Sequence, residues 1–387
     1  MKWNWQQPDW PRFSWSIKQM AKAEEQFLIG SGVILGAVNH LSSQDRLGLT
    51  VELLSEEAAT SSEIEGEILD RDSIQSSISR ELGLATDSRR RRPAEQGIAE
   101  MMVDLYQNFA GPLNKRELCS WHRLLMQENR NIQEPGSYRT HVEPMRVVSG
   151  KLHDPQIHFE APPSSEIPME MAAFLDWFNG TGPTSSNPLP ALTRSGIAHL
   201  YFESIHPFAD GNGRIGRAIS EKALAQGAGG PTLTALAATI LIRRREYYRM
   251  LEASNKQNEI SKWLAWFAGI ALEAQQRTLS TVEFLINKAK LLDRVKDHLS
   301  ERQLKVLLRV LREGLDGFKG GLSAGNYVKI AKISPATATR DLADLVEKGA
   351  FIRTGERRHA RYHLNVPLRP VPRFLIDLDG KVITDTH

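Results

Sequence analysis

Cysteine is all but absent from this chain: Cys119 stands alone among 387 residues. A single thiol excludes an internal disulfide framework and fits a reducing compartment. Long apolar runs are also missing. None is long enough to span a bilayer, and no secretory apolar region opens the sequence. The expectation is a cytoplasmic protein with no membrane partner. A strong charge of either sign is lacking too. Lys and Arg number 49 against 46 Asp and Glu, a net +3, so the whole chain offers no electrostatic argument for nucleic acid. Local clusters must carry that question. With 41% hydrophobic and 25% charged residues the composition is that of a soluble globular protein. The length predicts two or three modules.

What is present centres on twelve residues, His206-Pro207-Phe208-Ala209-Asp210-Gly211-Asn212-Gly213-Arg214-Ile215-Gly216-Arg217. Apolar residues at helical spacing precede them, from Ile197 to Ile205, and a second helical run follows from Ile215 through Ala218, Ile219, Ala223 and Leu224. The dozen therefore reads as a loop ending at a helix N-terminus, where unpaired N–H groups and the helix dipole favour an anion. Gly211 and Gly213 permit close approach and the unusual φ values of an N–H nest. Arg214 and Arg217 lie a turn apart and project from one face. Together these features describe a polyphosphate cradle. Asp210 supplies a hard oxygen of the kind that phosphate-bound Mg²⁺ takes. His206 has the side chain suited to accept a proton near neutrality. Asp-Gly-Asn-Gly alone would be an ordinary turn.

The longer string matches every fixed position of HPFx[D/E]GNGRxxR and so resembles the signature of the Fic family. The resemblance runs from about Pro93 to Glu283, and the N-terminal part is similar to the region that accompanies Fic domains. It implies a mainly α fold, a helical core with a β-hairpin flap. It also implies that His206 is the catalytic base, Asp210 the Mg²⁺ ligand, and Gly211, Asn212, Gly213, Arg214, Ile215, Gly216 and Arg217 the nucleotide-binding residues. In this picture the Asn212 side chain helps to stabilise the phosphates and Phe208 anchors the loop.

Upstream, Leu47, Val51, Leu54, Ala58, Ser61, Glu65 and Ile68 form a helical stripe that would place Ser61 and Glu65 on a buried face. A buried carboxylate needs a cation or hydrogen bonds. Read locally, Glu65 is a paired glutamate at a helix end with Gly66 as terminator. Ser61 to Gly66 also matches [S/T]xxxE[G/N], the motif of the Fic inhibitory helix. By resemblance Glu65 would pair with Arg217 and keep it from the γ-phosphate. Pro135-Gly136-Ser137-Tyr138-Arg139 resembles the family's PGxYR stretch, and β-branched residues bounded by Gly and Pro predict a hairpin carrying Val147, Val148, Ser149 and Gly150. Family resemblance makes this hairpin the flap that aligns a target's backbone. His153 and His158, in the spacer from Lys151 to Glu160, read as loop histidines, because no further ligand cluster accompanies them. Tyr247, Met250 and Leu251 fit an amphipathic helix surface. By resemblance Tyr247, Tyr248 and Asn255 lie beside the base and sugar of the nucleotide.

Four tryptophans, Trp3, Trp5, Trp10 and Trp15, among prolines predict an arm packed across the domain. The run Arg89 to Arg92 reads as a solvated linker. Near the C-terminus, Ser300 to Gln303 is a capping box opening a helix, a second helical stretch covers Asn326 to Lys332, and Ser334 caps a third. Two alternating segments then flank Arg357 and Arg358, so the order resembles a winged helix. Thr337, Thr339 and Arg340 would lie on a recognition helix, and Arg357, Arg358 and Arg361 on the wing. Asp379-Gly380 predicts a small terminal hairpin. The expected division is 1–90 for the Trp-rich segment and inhibitory helix, 91–285 for the Fic core, 296–365 for the winged helix and 366–387 for a tail.

The resemblance implies a protein adenylyltransferase, with ATP and Mg²⁺ bound and AMP moved to a hydroxyl of a protein target, self-modification included. Gly213, where phosphorylating relatives carry lysine, speaks against kinase-like use, and Arg217 favours ATP over donors without a γ-phosphate. Removal of AMP by the same site, and a nucleotide-sensing regulator that binds DNA, stand as alternatives. A homodimer and duplex DNA remain open as partners. The target's identity is not written in the sequence.

Overall fold

The computed structural model of the chain describes residues 2–84, 92–151, 154–232, 234–314, 317–318, 320–367 and 370–385. Residues 89–91 of the arginine run, and His153, lie outside these. The chain divides into two units, Met1–Thr278 with Pro372–His387, and Leu279–Val371. Pro372–His387, most of the expected tail, groups with the first unit, which also holds the N-terminal segment and the expected Fic core up to Thr278.

In the first unit, α1 (Ile17–Asn39), α2 (Ser43–Ile64), α3 (Arg71–Glu81), α4 (Pro93–Asn108) and α5 (Lys115–Met126) precede a two-stranded antiparallel hairpin, β1 (Arg146–Lys151) and β2 (Asp154–Glu160). The stretch expected as a spacer after Gly150 is largely β2, so His158 sits on a strand and not in a loop. Then come α6 (Ile167–Gly180), α7 (Ala191–Ile205), α8 (Asn212–Ala228), α9 (Leu236–Ile242), α10 (Arg244–Ser254) and α11 (Ser261–Val295), whose C-terminal part lies beyond Thr278. The core forms around α7. Every residue of α7 except Glu203 is buried, including Arg194, Ser195 and His199. Its buried polar side chains find partners inside the core, Arg194 donating to the Phe178 carbonyl and Ser195 to that of Ser220, each at 2.8 Å. Gly196 on α7 lets Leu264 and Phe267 of α11 close in, and Trp263 donates to the Gly196 carbonyl at 2.8 Å.

The Trp-rich arm is packed, as its composition predicts. Trp5 donates its indole N–H to the Glu160 carbonyl at 2.7 Å and Trp10 donates to Glu170 at 3.0 Å. Trp10 and Phe13 meet the Tyr201 ring edge-on at 5.1 and 5.6 Å. The terminal hairpin, β5 (Arg373–Ile376) with β6 (Val382–Asp385), completes the same unit, although two further strands precede it in the chain. Phe374, Ile376 and Val382 pack on the core, and Arg373 pairs with Glu246 at 2.9 Å. Its turn residue Gly380 has φ +80° and lies so close to the Gln19 carbonyl that a side chain would collide.

The second unit contains α12 (Glu301–Leu311), α13 (Ala324–Ala331), α14 (Pro335–Glu347) and the antiparallel pair β3 (Phe351–Thr354) and β4 (Arg361–Leu364). The Ser300–Gln303 capping box is formed, and Ser334 caps α14 with Pro335 at its first position. Leu307, Tyr327, Leu342, Leu345 and Phe351 share one core. Asp341 on α14 accepts both arms of Arg302, at 2.7 and 2.8 Å, and the Tyr327 hydroxyl at 3.1 Å. Charge is divided unevenly between the units. Residues 279–371 hold 18 Lys and Arg against 10 Asp and Glu, a net +8, which leaves the rest of the chain at −5. The small overall charge concealed this split. No helix among the described residues is long and apolar enough to cross a membrane.

Gly97 shows how closely the helices approach, since a Cβ there would overlap the Leu124 carbonyl oxygen of α5. Gly97→Ala is expected to destabilise the protein by about 1–3 kcal/mol, the usual range for overpacking. A denaturant midpoint equal to wild type would contradict this.

Candidate active site

The site begins where α7 stops. His206 takes the left-handed conformation, φ +51° and ψ +59°, and Gly211 takes φ +80° as N-cap of α8. A non-glycine residue in that region is strained by about 1–3 kcal/mol unless its surroundings fix it. Arg139 fixes it. Its side chain donates to the carbonyls of His206 (2.9 Å), Ile205 (3.4 Å) and Pro162, and to the Ser164 hydroxyl (2.9 Å), while its backbone N–H donates to Pro207 (2.9 Å). Burial pulls this guanidinium down to about 10, which still leaves it charged at neutral pH.

Between His206 and α8 the loop is closed by Asn212. Its carbonyl oxygen accepts the Phe208 N–H at 3.0 Å and its amide donates to the Phe208 carbonyl at 2.8 Å. Both ends of the Asn212 side chain thus hold the loop, and the residue also lines the adjoining cavity. Phe208 is fully buried and stacks on His122 at 4.2 Å. Ile215 is likewise core, and Gly216 lies against Glu203 and His199, so neither lines the cavity.

That cavity has a volume of about 710 Å³. His206, Asp210, Gly211, Asn212 and Gly213 form one wall, Tyr247, Tyr248 and Asn255 another, and Val147, Val148 and Ser149 of the hairpin a third. Glu65 also faces it, which accounts for the 30% exposure of a side chain expected to be buried. Ile68, at the end of the expected stripe, is 85% exposed, because α2 ends at Ile64 and Gly66 turns the chain at φ +86°.

Two carboxylates close the two arginines. Arg217 pairs with Glu65 at 2.8 Å and donates to the Ser61 hydroxyl (3.0 Å) and carbonyl (2.8 Å). Arg214 pairs with Glu67 at 2.6 Å. The Glu67 contact was not anticipated from sequence, where only its place two residues after Glu65 could have suggested it. Burial pushes the Glu65 carboxyl up, but the charge and hydrogen bond of Arg217 outweigh it and hold Glu65 below its ordinary value. Glu65 also fills the space that a side chain at Gly213 would need. Tyr248 joins in by donating its hydroxyl to the Ile64 carbonyl at 3.1 Å. Behind the wall, Tyr247 bonds His199 at 2.8 Å.

Glu203 is a further group that the sequence reading passed over. One turn before His206, its carboxylate lies 3.8 Å from the His206 ring, and burial followed by the nearby Glu65 charge raises it to about 8. Asp210 is exposed at the cavity; it accepts the Gly211 N–H at 2.6 Å with one oxygen and the Asn129 amide at 3.0 Å with the other. No cluster of three or more metal-ligating side chains occurs among the described residues. A single carboxylate beside phosphate oxygens and water suits Mg²⁺, which keeps several waters and takes few protein ligands.

Residues 112–224 match the family model described as Fic/DOC family, and residues 3–84 match one described as a domain of unknown function, DUF4172. The chain carries a Fic/DOC family domain. It is similar to protein adenylyltransferase fic-1 of Caenorhabditis briggsae, 29% identical over 112 residues, which are 28% of this chain and 20% of that protein. The match thus spans a fifth of the relative's length. A Fic family protein from Desulfovibrio desulfuricans aligns with a TM-score of 0.53 at 22% identity, over 92% of this chain and 98% of that one. A Fic domain containing signaling protein from Bacteroides thetaiotaomicron aligns with a TM-score of 0.50 at 17% identity, over 67% of this chain and 95% of that one. At these identities the likeness is one of fold.

Burial, then the Arg139 charge, lowers His206 to about 4, so its imidazole is neutral at pH 7 and holds a lone pair. A nuclear magnetic resonance titration is expected to show the His206 ring, assigned by its loss in His206→Ala, taking up its proton only near pH 4. A midpoint near 6.5, the ordinary histidine value, would contradict the assigned environment.

Proposed function

We propose that this protein is an adenylyltransferase that moves AMP from ATP to a hydroxyl side chain of a protein target, and that Glu65 restrains it. The Arg217–Glu65 pair at 2.8 Å, inside a loop carrying the whole Fic signature, is the observation that carries the reading. Nε and one terminal nitrogen of the Arg217 guanidinium are taken by Ser61 and Glu65, and the edge they form cannot at the same time hold a phosphate bidentately. The restrained state therefore admits a nucleotide without seating its γ-phosphate.

Released from Glu65 and Glu67, Arg217 and Arg214 would hold the terminal phosphates and orient pyrophosphate as leaving group. Gly211, Asn212 and Gly213 line the cavity at the positive end of α8, a place that suits phosphate oxygens. Neutral His206 would accept the proton of the target hydroxyl as it attacks the α-phosphorus. Asp210 would hold Mg²⁺, which supplies charge neutralisation on the phosphates. Tyr247, Tyr248 and Asn255 would flank base and sugar, and the β1 edge would align the target's backbone. Positioning and charge stabilisation dominate such transfers.

Hydrogen bonds to a charged group contribute about 1.5–3 kcal/mol, and breaking those of Arg217 would limit the wild-type enzyme. Glu65→Gly is therefore expected to raise transfer from α-labelled ATP with Mg²⁺ into proteins of a cell extract by about 10- to 100-fold. Glu65→Gly with His206→Ala should show none. Equal labelling by wild type and Glu65→Gly would remove the restraint from the reading, and equal labelling by the double variant would remove the base.

One observation favours the reverse reaction as a second reading. Glu65 is held ionised facing the cavity, where it could take a proton from water attacking an AMP–protein ester. Release of AMP from a pre-modified protein by wild type, lost in Glu65→Gly, would support it. The net +8 of residues 279–371 favours a DNA contact through a winged helix beside either activity. The full chain is then expected to bind duplex DNA with affinity falling steeply with salt. Arg340→Ala and Arg357→Ala should each lower the salt slope by about 1; an unchanged slope would overturn the contact.

A further inference from the structure

The hairpin over the cavity carries a second relay that the transfer mechanism above does not use. Ser149 on β1 and the ring nitrogen Nε2 of His158 on β2 are 2.6 Å apart, and His158 Nδ1 lies 3.0 Å from the Glu252 carboxylate on α10. With the neutral ring, Glu252 accepts from Nδ1–H, so Nε2 presents its lone pair to the Ser149 hydroxyl. Hydroxyl, imidazole and carboxylate in this order form the arrangement that activates a serine nucleophile on unrelated folds.

Strand geometry explains how the three meet. In the β1–β2 ladder Val147 faces Phe159 and Val148 faces Ile157, so His158 is the extra residue of a bulge. A bulge re-aims the side chain of its extra residue. Here it turns His158 toward Ser149, one step further along β1, and toward α10. All three side chains line the cavity that contains His206. The electrophile that this cavity favours is a phosphorus centre, because Arg244, Arg245 and Arg249 of α10 line it as well.

We propose that Ser149 is an acceptor of AMP within its own chain, a modification site activated by His158 and Glu252. This rests on the reading of the cavity as an ATP-using transfer site. In the step, Ser149 Oγ bonds to the α-phosphorus of ATP while the bond from that phosphorus to the α–β bridging oxygen breaks. Pyrophosphate leaves with the electron pair. The serine proton passes to His158 Nε2, the imidazolium is balanced by Glu252, and water then takes the proton. The product is a phosphodiester-linked AMP on the flap. It occupies the same cavity, so each modified molecule carries its own blocking nucleotide.

The test incubates full-length Glu65→Gly with ATP and Mg²⁺, digests it and maps AMP by mass spectrometry, with transfer to extract proteins measured in parallel. AMP is expected on the peptide containing Ser149. It should disappear in Glu65→Gly with Ser149→Ala and persist at that position with Ser149→Thr, which keeps a hydroxyl. Adding His158→Ala should lower modification of Ser149 by about 100-fold, the scale of a lost general base, and by a far larger factor than it lowers transfer to extract proteins. Equal losses in both would reduce His158 to a tie that holds the hairpin and would overturn its role as base. AMP on other residues of the chain, or on extract proteins alone, would overturn Ser149 as acceptor while leaving the transferase intact. No AMP on any protein would overturn the transferase reading and this one together.

Discussion

A buried guanidinium fixes the design of this site. Arg217 is 2% exposed, and desolvation alone would drive it toward losing its proton. The charge of the Glu65 carboxylate opposes that and holds it firmly protonated, above its ordinary value. A charge so placed needs an anionic partner, because leaving one buried and unpaired costs several kcal/mol. Glu65 pairs with it and Ser61 accepts from it at the end of α2, and a phosphate is the other group of matching charge and geometry. On the reading proposed above, restraint and nucleotide would compete for this one cation.

The second constraint is conformational. His206 faces the cavity only because its backbone is left-handed, and Arg139 with the Asn212–Phe208 pair keeps it so. Arg139 and Phe208, which line no part of the cavity, thus help to set the orientation of a group that does.

Much of this was legible in the sequence, and the exceptions have physical causes. The loop, its helices, Glu65 and the caps at Ser300 and Ser334 rest on local spacing, which a sequence displays directly. The Arg214–Glu67 contact, the Arg139 clamp and the His158–Glu252 contact depend on segments far apart in the chain, and no local pattern announces them. Glu203 looked like one more residue of an apolar helix, and only the packing around α7 gives its carboxyl a raised value. The α2 stripe was drawn one turn too long because Ile68 continues the spacing, whereas Gly66 ends the helix. Charge misled by averaging, since +8 and −5 sum to a number that suggests neither.

Gly213 sits where two demands coincide. A side chain added there would have to take the volume that the Glu65 carboxylate now fills. The position therefore cannot take a side chain without displacing that carboxylate from beside Arg217, so one substitution there would change both the wall of the cavity and the pairing of its buried cation.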